Sequence, residues 1–190
     1  MKTLAFLGSP RKGGNTEVLL ESVVRGATAA GGAVEMVSLC KLNIQPCINC
    51  GGCDKTGICI IEDEMTPLYD KILAADRIIL AAPIYFYGVP AHAKAFVDRL
   101  QSLWCRKNLL KAAGDWQDDP GRKGFLVSVA ATKGKRVFEG AILTMKYACD
   151  AIGIDYGGEF LVRGIDGRGD MEKAAGEMKK AEEAGKEFMK

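Results

Sequence analysis

The sequence lacks several features that would point to side-chain catalysis, membrane insertion or nucleic-acid binding. It has a single histidine, His92, which we interpret as a solvated residue on a first helical turn, and no Ser/His/acid triad is indicated. No apolar run approaches the roughly 20 residues of a membrane-spanning helix. A net charge of +2 gives no reason to expect nucleic acid or a lipid surface as a partner. The sequence therefore predicts neither a membrane protein nor a nucleic-acid-binding protein.

The N-terminus also lacks a cleavable signal pattern, because Met1–Leu4 leads directly into a strand-like run. We therefore expect a cytoplasmic protein, in which cysteine clusters bind metal more often than they form disulfides. Three of the seven cysteines, Cys40, Cys105 and Cys149, lie in apolar or helical surroundings. We expect each of these three to be a small buried apolar residue.

The other four cysteines form one compact run with the spacing C-x2-C-x2-C-x5-C: Cys47, Cys50, Cys53 and Cys59. Thiolates at every third position let a curling backbone aim several sulfurs at one point, and the glycines within the run allow such tight wrapping. This spacing is typical of ligation of a 4Fe-4S cluster. A structural zinc site, a disulfide pair, or cysteines left over from a cluster-binding ancestor are the alternatives. Zinc sites usually pair two C-x2-C hooks across a longer separation.

Apolar runs and helical patterns alternate along the chain, which predicts an α/β fold. The predicted strands are Thr3–Leu7, Ala33–Leu39, Arg77–Ala82, Gly124–Ala130 and Glu159–Arg163. With a helix after each strand, they make a doubly wound five-stranded parallel sheet in a three-layer sandwich. We expect a single domain, 1–190, with a Cys-rich insertion at 43–62. Residues 108–123 are expected to form an exposed loop that folds over a neighbouring subunit, and 62–64 a solvated acidic patch.

A glycine-rich loop joins the first strand to the first helix and is typical of an anion site. Loop N–H groups and the helix dipole would face the ligand. Gly8 and Gly13 have the Walker spacing, but the Lys-Ser/Thr pair that should follow is absent, and so is the dinucleotide fingerprint. The loop therefore suits a terminal monophosphate, with Asn15 or Thr16 able to cap the helix. The expected donors are Ser9, Arg11, Asn15 and Thr16, and Gly13 of the same loop is also expected to bind the cofactor.

Two further loops follow predicted strands and should reach the same edge of the sheet. A proline-bounded aromatic loop, which can hold a flat ring, follows the third strand: Pro83, Ile84, Tyr85, Phe86, Tyr87 and Gly88. Thr132 and Lys133 lie in the loop after the fourth strand. A ligand with one phosphate at one end and a planar ring at the other is FMN. A cysteine-bound cluster close to this flavin would relay electrons.

The phosphate loop 8–16, the four-cysteine run and the segment 82–90 resemble the NADPH-dependent FMN reductase family, and in particular its iron–sulfur flavoprotein branch. The resemblance implies a flavodoxin-like fold, bound FMN, and a homodimer or homotetramer with flavin sites near subunit interfaces. It also implies that the donors named above bind the FMN phosphate, that Pro83–Gly88 line the isoalloxazine, and that the run ligates the cluster. The segment after the fourth strand, 131–136, is shorter than in some members of that branch.

Three functions remain open from the sequence. The first is an FMN- and cluster-containing reductase that passes electrons from ferredoxin or NAD(P)H to a small acceptor. The second is a cluster-free NAD(P)H:FMN or quinone reductase, and the third a non-enzymatic, flavodoxin-like electron carrier. Ordinary flavodoxins are strongly acidic, so the net charge of +2 disfavours the carrier.

Overall fold

The computed structural model describes all residues, 1–190. Its centre is a five-stranded, all-parallel sheet with the strand order β2-β1-β3-β4-β5. The strands are β1 (Lys2–Leu7), β2 (Ala33–Ser38), β3 (Arg77–Pro83), β4 (Lys123–Ala130) and β5 (Asp155–Arg163). The central strand β3 is buried on both faces, as the continuous apolar run Ile78–Ala82 requires.

Helices cover both faces of the sheet. They are α1 (Asn15–Ala29), α2 (Thr66–Ala74), α3 (Ala91–Arg99), α4 (Gln101–Ala113), α5 (Glu139–Ile152), α6 (Asp170–Lys173) and α7 (Ala175–Phe188). Alternate residues of β1 enter different cores, because side chains along a strand point to opposite faces. Leu4 and Phe6 pack with α2 to α5, whereas Ala5 and Leu7 pack with α1, α6 and α7. The predicted flavodoxin-like fold and its three layers are confirmed.

The sequence interpretation was wrong about the segment after α3. Helix α3 ends at Arg99, with Leu100 as its C-cap, and α4 begins at Gln101 and continues to Ala113. The first part of the expected loop 108–123 is therefore helical, and it ends at Gly114 in a left-handed C-cap. Trp116, in the remaining loop, packs against Gly153 of the same chain. The helical period of α4 is hidden in the sequence because polar Ser102 and Lys107 are buried, whereas Leu109, Ala112 and Ala113 are exposed.

The last strand is longer than predicted. It begins at Asp155 rather than Glu159, and the pairing of β4 with β5 shifts register between Gly124 and Leu126. Gly158 has a φ of 115°, a conformation that a residue with a Cβ rarely adopts. The irregularity interrupts the alternation of apolar and polar residues, which explains why the first half of β5 gave no strand pattern.

The strand order places three loops at one edge of the sheet. The chain moves outward from β1 to β2 and then returns to the other side of β1 with β3, so the order reverses between β1 and β3. In open α/β sheets a ligand binds outside the carboxyl ends of the strands at such a reversal. The loops after β1, β3 and β4 all leave the sheet at this edge.

Candidate functional site

A cavity of about 260 Å³ lies at the reversal point and joins the two loops that the sequence singled out. The phosphate loop and the start of the aromatic loop form most of its wall. The predicted residues that line it are Ser9, Arg11, Asn15, Thr16, Pro83, Ile84 and Tyr85. Val129, Ala131, Ile165 and Asp166 complete the wall.

The N-terminus of α1 faces this cavity with unpaired amides. The first bond within the helix runs from the N–H of Val18 to the carbonyl of Gly14, at 3.1 Å. The N–H groups of Asn15, Thr16 and Glu17 therefore have no acceptor within the helix. The expected cap by Asn15 or Thr16 is wrong: Gly14 is the N-cap, and no side chain caps the helix. Free amides and the helix dipole together favour an anion here.

Asn15 connects the phosphate loop to the loop after β5. Its amide group donates to the carbonyl of Gly167 at 2.9 Å and accepts the N–H of Met171 at 3.1 Å. Arg168 reaches the same loop, because its guanidinium donates to the carbonyl of Lys12 at 3.2 Å. These contacts bring Ile165 and Asp166 to the cavity. Sequence reasoning missed the loop after β5, although it leaves the sheet at the same edge as the others.

Gly13, the remaining predicted residue of the phosphate loop, does not line the cavity. It adopts a left-handed φ of 61°, which accounts for glycine at this turn. Its N–H donates to the Glu17 carboxylate at 2.5 Å, so this amide is already occupied. Gly13 shapes the loop, and α1 supplies the free amides.

The aromatic loop forms a tight turn with an exposed tip. Tyr85 and Gly88 exchange two backbone hydrogen bonds of 2.9 and 3.0 Å. Between them, Phe86 and Tyr87 have φ values of 49° and 63°, as in a two-residue type I′ turn. Bulky residues rarely adopt this conformation, and such strain is concentrated at functional sites. The Phe86 ring is fully exposed.

Thr132 and Lys133 are exposed and do not line the cavity. The Lys133 side chain instead packs over Gly164 in the loop after β5. The loop after β4 contributes Ala131 to the cavity and borders a second, open groove with Tyr87. The structure therefore does not bring Thr132 or Lys133 together with the other predicted residues.

The four-cysteine run is held against α4 by tight turns. Asn49, Gly51 and Gly57 all have left-handed φ values, and the Gly57 N–H donates to the carbonyl of Cys53 at 2.8 Å. A Cβ at Gly57 would lie 2.6 Å from the Cβ of Arg106 on α4. Glycine is therefore required there by both its φ and its close approach to the helix.

A buried ion pair fastens both ends of the insertion to the body of the fold. Arg99 donates to Asp63 at 2.7 and 3.2 Å, to the carbonyl of Gln45 at 2.9 Å and to that of Ile61 at 3.0 Å. The two charged side chains are 0% and 3% exposed. The interpretation of 62–64 as a solvated patch was thus wrong for Asp63. Sequence patterns could not reveal the burial of Asp63, because its ion-pair partner Arg99 lies 36 residues away in the chain.

The environment of Asp63 stabilises its charged form. Burial by itself disfavours the carboxylate, but hydrogen bonds from Arg99 and from the N–H groups of Gln45 and Met65 outweigh it. The pKa of Asp63 is therefore lowered. Burial also opposes the charge of Arg99, and Asp63 again reverses the effect and raises the pKa of the guanidinium.

Cys105 was predicted to be a small buried apolar residue, and this is only part of its role. It is buried, but its Sγ lies 3.7 Å from the Sγ of Cys53 and 3.6 Å from Oδ1 of Asp54. Burial, reinforced by the neighbouring Cys105, raises the pKa of Cys53 to about 11. Cys149 is buried as expected, and Cys40 is half-buried. All seven cysteines are free thiols.

The fold and cavity together define a flavodoxin-like protein with an anion site at the N-terminus of α1, next to the aromatic loop. The donor set fits the phosphate of FMN: one guanidinium, two hydroxyls, and free amides at a helix N-terminus. The family profile described as NADPH-dependent FMN reductase matches residues 1–148. The chain belongs to this family, and the resemblance noted from its motifs is confirmed.

Several curated proteins and solved structures resemble this chain. An iron–sulfur flavoprotein of Methanosarcina thermophila is 40% identical over 108 residues, covering 57% of this chain and 56% of that protein. Another from Methanocaldococcus jannaschii is 38% identical over 103 residues, 54% and 53% of the two chains. The aligned part thus spans about half the length of these relatives.

Among solved structures, an NAD(P)H:quinone oxidoreductase from Methanothermobacter marburgensis has a TM-score of 0.70 with 14% identity. The match covers 100% of this chain and 96% of that one, and it supports the fold alone. None of the helices is both long and apolar enough to cross a bilayer.

Proposed function

We propose that this protein is an FMN-dependent oxidoreductase that transfers electrons from NAD(P)H or a ferredoxin to a small acceptor. The observation that carries the proposal is the single cavity shared by the phosphate loop and the aromatic loop. FMN, when bound, would supply hydride and single-electron transfer. Family membership and the names of the relatives support the same chemistry.

The chain's residues bind and orient the cofactor in this proposal. Arg11, Ser9, Thr16 and the first amides of α1 hold the terminal phosphate. Pro83–Tyr85 flank the ring, and the N–H groups of Phe86 and Tyr87, which have no backbone acceptor, donate to its polar edge. The strained turn fixes these amides before the ligand arrives, which reduces the entropy lost on binding.

The phosphate assignment is tested by comparing FMN with riboflavin, which lacks the phosphate. Apoprotein is titrated with each ligand and the flavin fluorescence is followed. Arg11→Ala should weaken FMN binding about tenfold or more, since a charge-assisted hydrogen bond contributes roughly 1.5–3 kcal/mol, and should leave riboflavin binding unchanged. Lys179→Ala, an exposed charge on α7, is the control. Equal losses for both ligands, or none, would contradict the assignment.

We further propose that Cys47, Cys50, Cys53 and Cys59 ligate one 4Fe-4S cluster. The donor set fits, because four reduced thiols lie in one tightly turned segment; a cluster there would supply single-electron steps. Protein purified without oxygen should contain about four iron and four sulfide per chain. Fewer than four irons per chain would refute the cluster.

The alternative is a cluster-free NAD(P)H:FMN or quinone reductase. It is favoured if Cys53→Ser leaves the flavin content and the rate of NADPH oxidation unchanged. Rapid turnover with free NAD(P)H would rule out the third possibility, a non-enzymatic carrier. If there is no turnover with free NAD(P)H, a carrier and a ferredoxin-fed reductase both remain possible. Reduction by ferredoxin in the presence of a quinone would then distinguish the reductase from the carrier.

We also propose a homodimer or homotetramer in which a second subunit covers the aromatic loop. The three consecutive exposed aromatics Tyr85, Phe86 and Tyr87 at a strained turn support this, since a contiguous exposed apolar patch commonly marks an interface. Light scattering after size-exclusion chromatography should show more than one chain per particle. Phe86→Ser should shift the particle toward the monomer, whereas Tyr147→Ser on the outer face of α5 should not.

A further inference from the structure

One cluster of metal-ligating groups extends beyond the four-cysteine run. It consists of Cys53, Asp54 and Cys105, whose ligand atoms all lie within 4.8 Å of one another. Cys53 and Asp54 belong to the insertion, whereas Cys105 lies on α4, 52 residues further along the chain. The set therefore joins two elements, as many structural metal sites do, and it shares only Cys53 with the run.

The separations of the donor atoms match a tetrahedral ion. Two sulfurs at about 2.3 Å from a zinc ion, with tetrahedral angles, lie about 3.8 Å apart, and a sulfur and a carboxylate oxygen about 3.5 Å apart. The observed distances are 3.7 Å between the sulfurs of Cys53 and Cys105, and 3.6 Å from Cys105 to Asp54. Both agree with one ion bound at the centre of the three groups.

The surroundings hold each ligand in place. The side-chain amide of Gln101, one turn earlier on α4, donates to the Cys105 sulfur at 3.6 Å. The Asp54 N–H donates to the carbonyl of Gly51 at 3.1 Å. Gly51 also leaves room for the carboxylate, since a Cβ there would lie 3.1 Å from Oδ2 of Asp54. Partners that orient ligands in this way are a regular part of metal sites.

The burial of the three groups indicates which side of the site faces solvent and leaves the fourth ligand position free. Cys105 is buried, Cys53 is half-buried and Asp54 is exposed, so the site opens to solvent on the side of the carboxylate. Three protein ligands with water at the fourth position form a common zinc arrangement. Two thiolates select a thiophilic ion over Mg²⁺ or Ca²⁺.

We propose that Cys53, Asp54 and Cys105 form a site for one thiophilic divalent cation, Zn²⁺ in particular, with water as the fourth ligand. Because the site uses Cys53, a chain that holds this ion cannot use the same sulfur for a cluster. The insertion would then have two alternative metal states. Cys53 binds either the single ion together with Cys105 or the cluster together with the other cysteines of the run. The proposal is independent of flavin binding.

The experiment uses the FMN-bound full chain, kept reduced with a phosphine and freed of metal with a chelator. Zn²⁺ binding is measured by competition with a chromophoric chelator, and Co²⁺ serves as a spectroscopic probe of tetrahedral thiolate ligation. We expect one ion per chain. Cys105→Ser and Asp54→Asn should each lower the affinity at least about tenfold, since losing a direct ligand should cost no less than losing an outer-shell partner, which costs roughly 10–100-fold. Flavin content should stay constant, which separates this test from that of FMN binding.

Two matched cysteine variants serve as controls. Cys149 is the other buried cysteine on a helix, and Cys149→Ser should leave the affinity for Zn²⁺ unchanged. Cys59→Ser should also leave it unchanged, although Cys59 belongs to the run. The proposal is overturned if Cys105→Ser binds Zn²⁺ as wild type does, or if Cys59→Ser loses as much affinity as Cys105→Ser. If Cys105→Ser does not fold, unchanged affinity in the exposed variant Asp54→Asn overturns it.

Discussion

Replacing Arg99 by methionine should destabilise the protein more than any surface charge change. The substitution removes four hydrogen bonds, to Asp63, Gln45 and Ile61. It also leaves the Asp63 carboxylate, 3% exposed, without its counter-ion. Removing one partner of a buried pair costs about 3–5 kcal/mol, a large part of the 5–15 kcal/mol that stabilises a typical domain.

The assay is urea denaturation of reduced, metal-free protein at pH 7, followed by circular dichroism. The matched control lies on the same helix: Lys94 pairs with Asp98 at 2.6 Å, with side chains 53% and 40% exposed. Lys94→Met should therefore cost about 0.5 kcal/mol or less. If Arg99→Met does not fold, Asp63→Asn is measured instead, and it should still lose more stability than Lys94→Met.

The segment of Arg99→Met that a protease cleaves first provides a second measurement. Because Arg99 fastens both ends of the insertion, limited proteolysis of Arg99→Met should cleave first within 43–62. Replacing both charged residues, Arg99→Met with Asp63→Leu, should recover part of the loss, since no charge is then left buried. Equal stability of Arg99→Met and Lys94→Met would refute the reasoning, and so would cleavage elsewhere in the chain.

Three further predictions follow from individual positions. Because the pKa of Asp63 is lowered, its stabilisation is present above the ordinary aspartate pKa of about 3.9 and lost as pH falls through the lower, folded value. The free energy of unfolding of Asp63→Asn should therefore depend less on pH in that acidic range, and an unchanged dependence would contradict this. Gly140→Ala should weaken FMN binding, because the added Cβ would overlap the carbonyl oxygen of Tyr87 in the aromatic loop. The control is Gly176→Ala, where the added Cβ meets open space, and this variant should bind FMN as wild type does in the same titration. Gly185→Ala should cost about 1–3 kcal/mol in urea denaturation, since its Cβ would overlap the Val23 carbonyl where α7 crosses α1; a neutral result would mean that the helices can separate.

The features that sequence reasoning predicted well are local ones. The strands follow from short apolar runs, and the phosphate loop follows from glycines and hydroxyls immediately before an amphipathic helix. Ser9, Arg11 and Tyr85 line one cavity, although 83–88 is far away in sequence. That agreement has a simple cause, because parallel strands bring their following loops to one edge.

Local patterns misled at the end of α4 and at the start of β5. The end of α4 was interpreted as a loop because its exposed residues include apolar Leu109, Ala112 and Ala113, so no amphipathic period is visible. The start of β5 was missed because Gly158 and the register shift interrupt its alternation. In both places tertiary packing supplies the stability that the sequence pattern does not show.

The sequence by itself determined most of the strands, the phosphate loop and the spacing of the four cysteines, because each depends on neighbouring residues. Only the tertiary structure decided that Asp63 is buried against Arg99, that Asp166 borders the cavity, and that Cys105 lies beside Cys53. Those contacts join residues far apart in the chain. The ion pair and the two cysteines meet when α3 and α4 pack against the insertion, and Asp166 reaches the cavity when the loop after β5 contacts the phosphate loop. Helix packing, which no local spacing records, therefore determines that Cys105 on α4 lies beside Cys53 of the insertion.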